Sequence, residues 1–401
     1  MLAFEWGRLM LLRALHNFLT LILHVERRFE PWFRPAFDAT LRDPLAKFIQ
    51  SRINKRRKHD GLGLAEETSI PNEAKHLQTI IDLMAAQMHN HFQPARFERG
   101  GNTKTHGLVR GTFVVRDDVP SHMRHGIFAE PRSFPAWVRY SGPGPTVPAD
   151  IDDVGFVSMT IKLMGVEGPR LPSNERFTQD LLGICTPTFV TPDVRANARL
   201  QYWSLRETPL FYFFEPKDHH MLDFFMQSLW NETQYNPLGQ RYYSCVPYLL
   251  GERQAMQYAF FPKTEVYKKI PRLPFRPPDN YLRDNMVKTL AEKDVEFDIL
   301  VQIQTDPFQM PIENAAVLWP VALSPRVPVA RLHIPRQKFD APCQFAFADN
   351  LTYNPWHCLA AHRPLGNQSR ARLRLYAELS QLRLKMNCKQ HIEPTGNEVF
   401  D

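Results

Sequence analysis

Thr105-His-Gly-Leu-Val-Arg-Gly-Thr-Phe-Val-Val115 is the stretch on which the fold turns. After its opening Thr-His-Gly, the run Leu108–Val115 is rich in the branched and aromatic residues that suit a pleated surface. Five further runs share that character: Ala136–Ser141, Phe156–Leu163, Ala255–Phe261, Phe297–Gln304 and Val329–Ile334, with Pro-containing turns between them. Helices do not alternate regularly with these runs. The pattern therefore predicts an antiparallel sheet that closes on itself, in an α+β chain, rather than a parallel α/β sheet. A helical insertion is expected around His219–Leu229, and roughly the last 45 residues turn helical again. Upstream, Ala74, Leu77, Ile80, Ile81, Met84 and Met88 recur at helical spacing within Pro71–His91. His89 and His91 end that helix two residues apart, so they do not share a face and make no metal pair.

A chain of 401 residues can bury a sizeable core and enclose a cavity. Forty-nine Lys and Arg against 42 Asp and Glu give +7, spread along the chain without a long block of one sign, which offers no nucleic-acid footprint. The densest run, Lys55-Arg-Arg-Lys58, reads as a solvated loop. Five cysteines with no Cys-x-x-Cys spacing point to reduced thiols in a cytoplasmic type of compartment. Thirty-four prolines stand above the roughly 20 expected at average usage, so the loops are stiff and shaped.

Residues 9–25 carry the only candidate membrane segment. Arg13, Asn17, Thr20 and His24 fall on one face, which makes an amphipathic helix and not a clean apolar span. It is expected to lie in a membrane interface with Arg27 and Arg28 at its edge, or to dock on the protein or a second subunit. A basic leader and a small-residue cleavage site are lacking, which argues against a signal peptide.

Two short motifs carry chemistry. In Arg372-Leu-Arg-Leu-Tyr376 a guanidinium stands one helical turn before a phenol, close enough to stabilise its anion, and tyrosinate is an axial ligand of ferric haem. Taken alone, these residues equally fit a core tyrosine beside an arginine reaching solvent, since Leu375, Leu379 and Leu382 already make a buried stripe. His106, just before a strand, has the side chain suited to moving a proton near neutrality, and alone it equally fits a plain surface or core residue.

Read together, the segments resemble the haem catalase superfamily over residues ~95–380. Thr105-His-Gly with Gly111-Thr-Phe113 is similar to the segment carrying the distal histidine. Phe134-Pro-Ala-Trp-Val-Arg-Tyr-Ser141, Asp153-Val-Gly-Phe-Val157 with Ile161-Lys-Leu163, Asp180-Leu-Leu-Gly-Ile-Cys-Thr-Pro-Thr-Phe189 and Tyr243-Ser-Cys-Val-Pro-Tyr248 resemble successive barrel segments. Arg372 and Tyr376 match the proximal helix in order and spacing. Asn354-Pro-Trp-His357 and His362-Arg-Pro-Leu-Gly366 are similar to the small catalase-related peroxidases.

The resemblance implies an eight-stranded antiparallel β-barrel with flanking helices and an N-terminal amphipathic helix. Residues 1–70 would form an N-terminal helical extension and 71–401 a haem-binding domain, with the barrel at about 100–340 and the proximal helix region at about 345–390. It implies haem b ligated by Tyr376, with Arg372 holding the phenolate and Arg139 pairing with a propionate. His106 would be the distal base, Ser141 its hydroxyl partner, and Thr105 a hydroxyl beside the imidazole where catalases carry valine, as in the coral allene oxide synthases. Thr103 replaces the usual arginine three residues before the histidine, leaving one propionate contact to Arg99 or Lys104.

Ile184 stands where the distal asparagine would orient hydrogen peroxide. An isoleucine makes the pocket drier and favours an organic or lipid hydroperoxide, so the expected activity is a haem peroxidase working through a ferryl intermediate with an electron donor left open. Hydrogen peroxide dismutation, hydroperoxide isomerisation and a non-catalytic haem carrier are the alternatives. A peripheral membrane position through residues 9–25 and a homo-oligomer complete the expectation.

Overall fold

The six Val-, Ile- and Phe-rich runs form the long strands of a closed barrel. The computed structural model describes residues 2–171 and 173–400, with residues 2–8 described by backbone alone. In chain order come helices α1 (Leu2–Phe29), α2 (Arg34–Thr40), α3 (Arg42–Arg56) and α4 (Glu73–His91), then strands β1 (Thr105–Val115), β2 (Ser133–Ser141), β3 (Ser158–Met164) and β4 (Thr178–Ile184). A helical insertion follows: α5 (Val194–Ser204), α6 (Phe211–Phe214) and α7 (Met221–Ser228). The second half of the ring is β5 (Tyr242–Tyr243), β6 (Tyr248–Leu249), β7 (Ala255–Pro262), α8 (Tyr281–Glu292), β8 (Val295–Ile303) and β9 (Val327–Ile334). Helices α9 (Pro342–Asn350) and α10 (Asn367–Met386) complete the chain's regular structure.

All pairings are antiparallel. The order β5-β4-β3-β2-β1-β9-β8-β7 is closed by β5 pairing with β7, which makes eight strands in the ring, with β6 added to β7 outside it. Closure removes the unpaired edges that an open sheet would expose. Alternation along each strand sends Phe113, Val138, Tyr140, Ile161, Phe260, Phe297 and Leu332 inward, where all are fully buried. Each such side chain contributes about 1.5–3 kcal/mol by leaving water.

On the outer face of one barrel wall, α4, α5 and α10 pack around Leu77, Ile80, Val194, Ala198, Ala371 and Leu375. The start of α10 is fixed by Gly366, at φ +85°, where a Cβ would stand 2.4 Å from the Ile312 carbonyl oxygen. Only glycine takes that conformation without strain. Arg370 then ties α10 to Glu67, Glu73 and Glu313 at 2.8, 2.8 and 3.0 Å.

The N-terminal helix docks with the opposite polarity to an ordinary surface helix. Arg13 donates to the Arg206 carbonyl, Arg27 to Asn231, and Arg28 pairs with Asp152 at 2.8 Å. Its polar stripe therefore faces the body. Asn17, expected on that stripe, is exposed. Leu11, Leu15, Phe18, Ile22, Val25 and Phe29 face outward. The segment Leu9–Thr40 is long and apolar enough to cross a membrane by length and composition.

Candidate functional site

Helix α10 presents Gln368, Arg372, Leu375, Tyr376, Leu379 and Arg383 along one face, at helical spacing, into a cavity of about 420 Å³. That size falls within the range of about 300–1,000 Å³ typical of cofactor pockets. The opposite wall is the outer surface of β2, β3 and β4. Arg139, Thr160 and Leu182 lie in one cross-strand row and all line the cavity, as do Ser158, Ile184 and Tyr243 in the row beside it. Phe189, Val190 and Leu200 add apolar surface from the segment leading into α5 and from α5 itself.

Arg372 and Tyr376 have an arrangement consistent with ligation of a metal-bearing group. No residue among those described forms a hydrogen bond or ion pair with the Arg372 side chain, which lies over the Phe189 ring at 5.0 Å. Burial opposes its charge, but Tyr376, Tyr248, Cys245 and Tyr258 more than offset this and hold its pKa above the ordinary arginine value. Tyr376 is half-buried, and its hydroxyl makes no hydrogen bond among the described residues. A cation without a carboxylate and a phenol without a partner thus share one cavity wall.

A second cluster lies on the same cavity: Arg99, Arg139 and Arg383. Arg139 donates to the Asn102 carbonyl at 2.7 Å and to the Thr105 hydroxyl at 2.8 Å, while its Nε has no hydrogen-bond partner among the described residues. Arg99 and Arg383 both donate to the Leu351 carbonyl, at 2.8 and 3.0 Å, and the Arg99 Nη1 makes no hydrogen bond among the described residues, with Asp349 3.9 Å away. Burial, reinforced by repulsion from Arg99, pushes both Arg139 and Arg383 down to about 9. Three guanidiniums so crowded are a ready site for carboxylates, which would relieve both the desolvation and the repulsion. The residues present fit haem: arginines for two propionates, a phenol for the iron, and an apolar slot between them.

Of the two candidates for the additional propionate contact, Arg99 lines the cavity and Lys104 does not. Lys104 is instead paired with Asp150 at 2.7 Å. Arg383 was missed from sequence, although its spacing of seven from Tyr376 puts it on the same helical stripe.

The distal candidates are placed differently. Ser141 occupies the row that runs Thr105–Ser141–Ser158–Ile184, is buried, and is not among the lining residues. Thr105 meets the site through Arg139, as noted above. His106 also lies outside the lining. The physical reason is a β-bulge: Thr105 pairs with Ser141 and Gly107 with Tyr140, so His106 is the extra residue and leaves the regular alternation. Its ring is enclosed, with Nδ1 3.7 Å from Asp150, and neither nitrogen has a hydrogen-bond partner among the described residues. Burial, together with Lys104, Arg283 and Arg139, holds it well below the ordinary histidine pKa, so it is neutral.

Beneath the cavity a fully buried ion cluster joins the barrel to the segment before α10. Lys162 meets Glu175 at 2.5 Å and Asp180 at 2.7 Å, and His357 meets Asp180 at 2.9 Å. Glu175, Asp180 and His357 have metal-ligand character, but the Lys162 ammonium already bridges the two carboxylates. Tyr353, whose ring faces Lys162 at 5.4 Å, lines the cavity above.

With the geometry in place, the chain has a catalase-like fold. It is similar to a fungal catalase with a TM-score of 0.58 and 15% identity, over 86% of this chain and 70% of that one. A bacterial catalase aligns with a TM-score of 0.51 and 14% identity over the same shares. Catalase A from Saccharomyces cerevisiae gives 0.57 and 15%, over 78% of this chain and 68% of that one. No family model matches the sequence, and no curated protein matches it.

Proposed function

We propose that the protein is a haem-dependent peroxidase acting on organic or lipid hydroperoxides. The observation that carries this reading is the convergence of the unpaired Arg372–Tyr376 couple and the Arg99–Arg139–Arg383 cluster on one apolar cavity. Tyr376 would ligate the iron, Arg372 would keep its oxygen anionic, and the three arginines would hold the propionates. When bound, haem would supply the redox chemistry at the peroxide bond.

The protein's own contribution is orientation and exclusion of water. Ile184, Leu182 and Phe189 make the slot apolar, which suits an alkyl chain better than hydrogen peroxide. The Thr105 hydroxyl accepts from Arg139, leaving its own hydrogen to donate elsewhere. His106, neutral in its enclosure, would be the group to hold the peroxide proton at a ring nitrogen once the bulge admits it to the cavity.

A second reading, a haem carrier without turnover, is favoured by the position of His106 outside the cavity lining. The test is the absorption spectrum of the purified, haem-loaded protein, followed by cumene hydroperoxide with a reducing dye. Peroxidase function predicts a Soret band and dye oxidation that falls at least tenfold in His106→Ala at unchanged haem content. Unchanged turnover in that variant supports a role for the cavity without a distal base, and no turnover in the unaltered protein supports the carrier. Oxygen evolution from hydrogen peroxide at catalase-like rates would overturn the substrate preference.

A further inference from the structure

The first 48 residues hold half of the exposed large apolar side chains among those described: fourteen of twenty-eight. Such a concentration of exposed apolar side chains marks a candidate interaction surface. On α1 the stripe Leu11, Leu15, Phe18, Ile22, Val25 and Phe29 is between 45% and 71% exposed. The polar side of the same helix is committed to the body: Arg27 is buried and bonded to Asn231, and Arg28 pairs with Asp152. The helix therefore lies along the protein with its apolar half outward.

Beside it stands a second exposed apolar tip. Phe275, 84% exposed, sits in the proline-rich loop 271–279 between Arg272 and Arg276. Neither of these arginine side chains has an ion-pair or hydrogen-bond partner among the described residues. The loop and Arg28 line one shallow surface cavity with Ile151 and Asp152. An aromatic tip with free guanidiniums on both sides, at the Arg28 edge of α1, combines insertion with attraction to phosphate.

We propose that this face seats the protein on an anionic lipid surface, with the outward side of α1 and Phe275 immersed at the headgroup boundary and Arg272 and Arg276 on lipid phosphates. The alternative occupant, a second copy of the chain, would read the α1 stripe as a coiled-coil seam, because its spacing alternates three and four. The flanking positions argue against this. Of the six positions where a two-stranded coil places complementary charges, Leu12, Ala14, Leu19 and Leu21 are apolar, and of the charged Glu26 and Arg28 the latter is already paired with Asp152. Trp32, 64% exposed with its ring 5.9 Å from that of Phe29, carries the apolar area past the end of α1. A broad apolar face with unpaired cations at its margin suits a lipid surface.

The test is flotation of the full-length protein with phosphatidylcholine vesicles and with vesicles also containing phosphatidylserine, scored without reference to haem or activity. The unaltered protein is expected to float with the anionic vesicles and less with neutral ones. Phe18→Glu/Ile22→Glu abolishes flotation, with circular dichroism unchanged because both sites are exposed. Arg272→Gln/Arg276→Gln weakens anionic binding roughly thirtyfold, at about 1 kcal/mol per arginine, and raised salt mimics it. No flotation of the unaltered protein, or unchanged flotation of Phe18→Glu/Ile22→Glu, overturns the proposal. So does a dimer that never floats and becomes monomeric in that variant, which would assign the face to a second copy. Equal flotation with neutral vesicles overturns the anionic requirement.

Discussion

Arg372 is the residue whose removal reports most quantitatively on the cavity. Its guanidinium has no carboxylate partner among the described residues, rests on Phe189, and stands one turn from Tyr376 on α10. At a separation of about 6 Å and an effective dielectric of about 20, its attraction for an anionic phenol oxygen is about 2.8 kcal/mol. Arg372→Gln keeps the length and shape and removes the charge. If Tyr376 binds ferric iron as an anion, that variant should bind ferric haem roughly 100-fold more weakly near pH 7. Arg372→Lys should fall between, because it restores a point charge without the planar fork. The assay is titration of the haem-free protein with hemin, following the Soret band, with thermal melts to show that the fold persists. An Arg372→Gln affinity within twofold of the unaltered protein would refute the electrostatic role.

Lys162→Met should cost about 3–5 kcal/mol of stability, read from urea midpoints, because it leaves two buried carboxylates, Glu175 and Asp180, with His357 as the one cation they share. Burial opposes the charge of both partners in that cluster, yet Lys162 and His357 hold Glu175 below its ordinary pKa, and Asp180 and Glu175 hold His357 above its own. Stability from Glu175 should therefore be complete above a pKa of about 4.5 and fade in acid, and stability from His357 should be complete below about 6.5 and fade as pH rises through its raised value. Melting temperature against pH should show a maximum between those limits that Lys162→Met flattens on the acid side. Ile184→Asn, which puts an amide on the cavity wall, should shift the ratio of hydrogen peroxide to cumene hydroperoxide turnover by roughly tenfold toward hydrogen peroxide. Arg383→Leu should weaken haem binding by about 1.5–3 kcal/mol, and hemin dimethyl ester, which lacks the carboxylates, should show no such difference.

The long strands and α10 were legible because their patterns are local: Leu108–Val115 and Val329–Ile334 carry their pleat composition in sequence. Strand β4 was readable only by resemblance. Its Gln179 and Asp180 are polar yet buried, satisfied by the Leu359 amide and by Lys162, so apolar alternation does not appear. The two-residue β5 and β6 are too short for any period to show. Arg139, Arg372 and Tyr376, singled out in the sequence, line one cavity. The enclosure of His106 was hidden because the bulge is a property of pairing between β1 and β2, set by Tyr140 and Ser141 some 35 residues away. The outward turn of α1 was hidden for a similar reason: its polar stripe was visible, but Asp152 and Asn231, which draw it inward, lie far along the chain.

The measurement that bears most directly on the central claim is the optical and electron paramagnetic resonance spectrum of ferric haem added to the full-length protein and to Tyr376→Phe. Ligation by Tyr376 predicts a high-spin ferric spectrum in the unaltered protein, with a stoichiometric Soret band that is lost or replaced by that of weakly held haem in the variant. An identical spectrum and affinity in Tyr376→Phe would contradict it.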